Sequence, residues 1–243
     1  MPAVFFIIRG ETEMKFDLHI HELTHSKDSH LSLEQIVLEA KSRGLEGIAI
    51  TDHDVLGLRA QARFLSARHN LPIFVGVEVY TTLGDILVFG VDQLPAVEEG
   101  KRIESQQLID YVNSKGGATI AAHPFRSNGR GLGEALYGLT GLTAIEGYNG
   151  RTTKGHNDRA ADVALALGIP MTGGSDAHAP GEVGAYATEV SGVVQTEKDL
   201  IQALKKGRCY PVSMTGLPLG NVAGLGAALA ADVNMAADSE VAV

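Results

Sequence analysis

Residues 17–30, "DLHIHELTHSKDSH", hold four of the chain's nine histidines. His19 and His21 stand two apart in a run of strand character, so their side chains point to one side and can grip one cation. Asp28 lies in the loop that follows. Farther along, His53 follows "GIAI", Glu78 ends "IFVGV", Asp85 opens "DILVFGV", His123 follows "ATIAA", and Asp176 with His178 follows "IPMTGG". Imidazole and carboxylate without thiolate suit Zn, Mn or Fe. Nine such residues exceed the needs of one tetrahedral ion, so two to three divalent ions are expected, with a carboxylate bridging.

Other polar residues take supporting roles. Asp17 and Asp52 stand beside candidate ligands, where a carboxylate orients an imidazole. Arg126 in "HPFR" suits bidentate phosphate binding, and Lys154 and Arg151 are further cations of the same region. Glu146 and Asn149 are expected to line the pocket. Asp54 reads as the cap of a helix from Val55, and the glycines of "TGGSD" as turn residues. His25, His30, His69 and His156 read as capping or surface groups.

Positioning these residues requires strands that end on one face. From Met14 onward, short apolar runs alternate with stretches of helical period, the signature of βαβ units. "KFDLHI" reads as a strand and "LSLEQIVLEAKSRG" as a helix with a Ser32–Gln35 capping box. About seven strand signals follow this rhythm, with "IFVGVEV" as one strand and helices near 55–70 and 101–115. The fold class is α/β, best fitted by a closed or nearly closed βα barrel, with candidate site residues at the C-terminal strand ends.

Of the 243 residues, 44% are hydrophobic and 20% charged, and the net charge is −9, which opposes tight duplex nucleic-acid binding. A single cysteine, Cys209, and the lack of a long apolar run point to a reducing cytoplasm and away from membranes. Residues 1–13 read as an N-terminal extension, 14–214 as the working domain, and 215–243 as a weakly held Ala/Gly-rich tail.

The ordered set "DLHIH", "SKDSHLSLEQIV", "GLEGIAITDHD", "GVEV", "AAHPFR", "AIEGYN" and "GGSDAH" resembles the PHP family, the polymerase-and-histidinol-phosphatase metallophosphoesterases, over about residues 15–212. The resemblance implies a distorted seven-stranded, TIM-like (β/α) barrel with a trinuclear site. It implies that His19, His21, Glu78 and Asp176 hold one ion, that Glu78 bridges to a second held by His123, and that Asp28, His53 and His178 hold a third. Where many members have a histidine, this chain has Asp85 in "GDILVFG", which would shift preference toward harder ions.

The activity so implied is hydrolysis of a phosphate ester, a small phosphomonoester, nucleotide or short oligonucleotide, by a water that the metals acidify. Glu78, Arg126, Asp176 and His178 are the residues expected to serve the reaction. An amidohydrolase-like C–N hydrolase also begins with "HxH", but the "TDHD" and "SDAH" pairs fit it poorly. A non-catalytic metal-binding regulator is opposed by the intact ligand set.

Overall fold

The structure, a computed structural model, describes residues 12–217 and Leu219. The expected extension and tail lie largely outside the described residues. Ten strands and five α-helices follow in order: β1 (Glu13–Ile20), α1 (Leu33–Ser42), β2 (Gly47–Ile50), α2 (Arg59–His69), β3 (Ile73–Val75), β4 (Val77–Tyr80) and β5 (Asp85–Phe89). Then come α3 (Ser105–Ser114), β6 (Ala118–Ala121), β7 (Ala144–Asn149), α4 (Lys154–Leu167), β8 (Met171–Gly174), β9 (Tyr186–Ser191), α5 (Glu197–Lys205) and β10 (Cys209–Ser213).

Local chemistry sets several of these boundaries. Ser32 and Gln35 form the expected capping box on α1, which buries Leu33, Ile36, Val37 and Ala40. Leu33, Ile36 and Val37 each contribute about 1.5–3 kcal/mol on burial, so this one face outweighs the helix's modest intrinsic propensity. By contrast, α2 starts at Arg59, after left-handed Leu58, and Asp54 does not cap it. Asp54 instead accepts from the Tyr80 amide and donates its own N–H to the Glu78 carbonyl, which ties the loop to β4.

The strands form two five-stranded sheets, ordered β10-β9-β1-β2-β3 and β4-β5-β6-β7-β8. The architecture is mixed α/β as expected, but among the described residues the strands fall into two sheets, neither of them closed, rather than into one. Two local facts explain the difference. The single strand expected over "IFVGVEV" changes sheets at Gly76, whose N–H bonds the Ile50 carbonyl in β2 while its neighbour Val77 pairs with Val88 in β5. A Cβ on Gly76 would stand 2.7 Å from the Val88 carbonyl oxygen, so only glycine fits this crossing. At the other side, β9 pairs antiparallel with residues 13–16 of β1, and the chain just past β8 meets the end of β1 through the isolated Ile20–Ala177 bridge.

The sheets nevertheless meet along two seams. Past β1, the Asp176 amide bonds the His19 carbonyl and the His21 amide bonds the Ala177 carbonyl. Past β2, the Glu78 amide bonds the Asp52 carbonyl and the Asp54 amide bonds the Glu78 carbonyl. Because β5 runs antiparallel to β4 and β6, its first residue, Asp85, lies at the end where β6 finishes. No helix among the described residues is long and apolar enough to cross a membrane.

Candidate metal centre

Both seams carry the residues singled out in the sequence. His19 and His21 leave β1 on one side, as strand alternation requires, with Nε2 atoms 3.1 Å apart. Glu78 reaches from β4 into the middle: its Oε1 lies 2.8 Å from His123 Nε2 and 3.4 Å from His19 Nε2, and its Oε2 lies 2.8 Å from His53 Nδ1. Asp176 Oδ1 stands 3.3 Å from His21 Nε2 and 3.5 Å from His19 Nε2. Exposed Asp28 closes the outer edge, its Oδ2 3.3 Å from His53 Nε2 and 3.4 Å from His178 Nε2.

Three groups of donors each gather ligand atoms within 4.8 Å of one another: His21, His53 and His178; His19, Glu78 and His123; and His19, His21 and Asp176. None contains His25, His30, His69 or His156. Two candidate ligands have left-handed backbones, His123 at φ +28° and Asp176 at φ +55°. Such conformations cost about 1–3 kcal/mol each and persist where the surroundings enforce them, commonly at functional sites.

The electrostatics fit a cation. Burial opposes the charge of Glu78 and Asp176, yet the facing imidazoles, His19 foremost, hold both carboxyls well below the usual range. Burial likewise disfavours a charged His19, but Glu146, Asp176 and Glu78 raise its pKa well above normal, so a proton on this ring balances the anions. His21 is pushed down to about 4 by burial, which leaves a neutral imidazole with a lone pair. A divalent ion bound among these groups would supply the charge that the His19 proton supplies without it.

Ring orientation comes from residues that the sequence reading placed differently. Glu146 Oε1, not Asp17, lies 3.0 Å from His19 Nδ1. Asp17 instead accepts from the backbone amides of Ser175, Gly184 and His19. Asp52 acts at one remove, accepting from Ser26 Oγ, which lies 3.1 Å from His21 Nδ1. The His178 ring Nδ1 lies 2.8 Å from the Asp176 carbonyl oxygen. These contacts fix which nitrogen faces the centre.

Gly174 belongs to β8 and is there for close approach, not for a turn. A Cβ on it would lie 2.7 Å from both Glu146 Oε1 and His19 Cβ. Gly174→Ala is therefore expected to weaken metal affinity about ten- to hundredfold, as loss of a ligand-orienting contact does, without loss of folded structure. Isothermal titration with Mn would check this, and unchanged affinity would show that the His19–Glu146 pair yields to the methyl group.

A cavity of about 310 Å³ opens over the donors, lined by Asp28, His53, Glu78, His123, Asp176 and His178 together with Arg126, Asn128, Arg130 and Arg151. Arg126 is held by Thr152 through Nε and by Asn149 and Asp176 through Nη2. Asn149 is thus a positioning residue rather than a plain turn, since its Nδ2 also donates to Glu146 and Asp176. Lys154 lies outside the cavity lining and pairs with Asp158 at 2.5 Å. Sequence reasoning missed Arg130, which grips Asp85 with Nε 2.6 Å from Oδ2 and Nη2 2.8 Å from Oδ1.

Fold, donor set and arginine-lined mouth define a class, the metal-dependent hydrolases acting on phosphate esters. The PHP domain model matches residues 17–148 and the PHP-associated model residues 154–209, and the chain belongs to the PHP family. It is 29% identical over 146 residues to the uncharacterized protein MJ1587 of Methanocaldococcus jannaschii, covering 56% of this chain and 82% of that one. It is 31% identical over 111 residues to a 3',5'-nucleoside bisphosphate phosphatase of Chromobacterium violaceum, covering 44% of this chain and 38% of that one. Its fold resembles that of a two-domain protein of Bacteroides vulgatus described as containing a predicted PHP-like metal-dependent phosphoesterase, with TM-score 0.66, 21% identity, and 84% and 66% of the two chains covered.

Proposed function

We propose that the protein hydrolyses a small phosphorylated substrate, a phosphomonoester or nucleotide, at a centre of two to three divalent ions held by His19, His21, Asp28, His53, Glu78, His123, Asp176 and His178. The observation that carries this reading is the placement of Arg126, Arg130 and Arg151 around the donors in a chain whose net charge is −9. Three guanidiniums gathered against that overall charge suit an anionic group, and a cavity of about 310 Å³ suits a small molecule. The 3',5'-nucleoside bisphosphate phosphatase among the relatives supports a nucleotide in particular.

Divalent ions at such a centre supply Lewis acidity to phosphoryl oxygens and acidify a water to near neutrality. The chain's own part is positional. Arg126, with Nε and Nη2 committed to Thr152, Asn149 and Asp176, keeps its Nη1 edge for a phosphoryl oxygen. Glu146 and Ser26 hold the His19 and His21 rings in register, so the donors need no rearrangement when charge develops. The amidohydrolase reading gains nothing from three arginines, since a neutral amide or lactone offers them no anion.

The test is a substrate panel for Mn-reconstituted protein: phosphomonoesters, 5'- and 3'-nucleotides, a nucleoside 3',5'-bisphosphate, lactones and amides. Phosphate release from at least one ester, with no turnover of lactone or amide, is the expected result. Lactone or amide turnover without phosphate release would overturn the proposal.

A further inference from the structure

Asp85 and Asp176 are both buried carboxylates beside an arginine, but they are held differently. Asp176 gives one oxygen, Oδ2, to Arg126 and turns the other, Oδ1, to His19 and His21. Asp85 gives both oxygens to Arg130 in a two-bond fork, and its Oδ2 stands 3.7 Å from His123 Nε2. The fork is held from behind as well, because the Arg130 guanidinium lies 4.4 Å from the centre of the Tyr80 ring. Its Nη2 also stands 3.8 Å from Glu78 Oε2, so the cation faces the same carboxylate that the ions would share.

Two further observations bear on the number of ions. His19 and His21 have their Nδ1 atoms engaged by Glu146 and Ser26, so each has only Nε2 for a metal. The three donor groups share these two rings, so an ion held by His19, His21 and Asp176 would compete with ions at the other two groups. On the Asp85 side, His123 Nδ1 is buried with no hydrogen-bond partner, as is His53 Nδ1 on the other, unlike the Nδ1 atoms of His19, His21 and His178.

We propose that Asp85 anchors Arg130 instead of ligating a metal, and that the anchored guanidinium takes the place of a third ion, so that the chain loads two. This rests on the metal-dependent reading of the site. In this arrangement Asp85 is a positioning residue. The Asp85 carboxylate and the Arg130 guanidinium then act as one charge pair beside the centre.

The experiment is elemental analysis of the full chain after loading with excess Mn and removal of free metal, with phosphate-ester turnover measured on the same samples. Wild type is expected to carry two ions. Asp85→Asn, close in shape, is expected to keep two. Arg130→Gln, a change at a partly exposed side chain, frees the Asp85 carboxylate and is expected to raise the count to three. Three ions or one in the wild type, an ion lost in Asp85→Asn, or a count of two in Arg130→Gln would each overturn the proposal. Two ions without turnover of any phosphate ester would instead sink the functional reading and leave this one standing, whereas three ions with turnover would do the reverse.

Discussion

Glu78→Gln is expected to remove at least one ion and to lower kcat/KM for the best phosphate ester on the order of 10³-fold. Glu78 is the one donor that touches His19, His53 and His123 together, and both its oxygens are engaged. The amide keeps the shape but deletes the charge, and it turns an N–H₂ donor toward imidazoles that themselves donate or must bind a cation. Charge stabilisation by metals is worth several kcal/mol, and each 1.36 kcal/mol is tenfold in rate. Metal content and steady-state rates on one preparation would check the two parts, with circular dichroism to establish that the variant is folded. A folded variant with its full metal complement and near-native rate would show that Glu78 is not the shared ligand.

Arg126→Ala should separate substrate recognition from metal binding. Asp176 would lose one partner but keep Asn149 Nδ2 at 3.3 Å, so the ions are expected to stay. Losing a charge-assisted contact in a partly desolvated site costs about 1.5–3 kcal/mol, or about ten- to hundredfold in kcat/KM. Arg126→Lys, which keeps the charge without the fork, is expected to fall between. Full kcat/KM with Arg126→Ala would move the phosphate-binding role to Arg130 or Arg151.

Much of the centre was legible because its signals are local. A histidine two places from another on a strand declares a shared side without knowledge of the fold, whereas Asp176 has a left-handed backbone and falls in a different donor group from His178. The Ser32–Gln35 box and the apolar face of α1 are equally short-range. What was not legible depends on distance. Arg130 sits in "SNGRG", ordinary loop composition, and acquires its role only by meeting Asp85, 45 residues away. Glu146 displaced Asp17 as the partner of His19 for the same reason, across 127 residues. The division of "IFVGVEV" at Gly76 could not be read either, because an apolar strand looks the same whichever sheet it joins. The strand β9 was overlooked in a segment where "YATEVS" follows a glycine-rich stretch and its alternation is short.

The seams have a thermodynamic consequence. His19, His21 and His53 come from the sheet that contains β1 and β2, whereas Glu78, His123 and Asp176 come from the other. Any ion held by both sets is a cross-link between two open sheets, and it binds the folded chain in preference to the unfolded one. Mass action then adds about 2.7 kcal/mol of stability when free metal stands a hundredfold above its dissociation constant. Resistance to unfolding is in that sense a property of the chain and its cations jointly, and a chelator acts on the sheet–sheet junction as directly as on the chemistry.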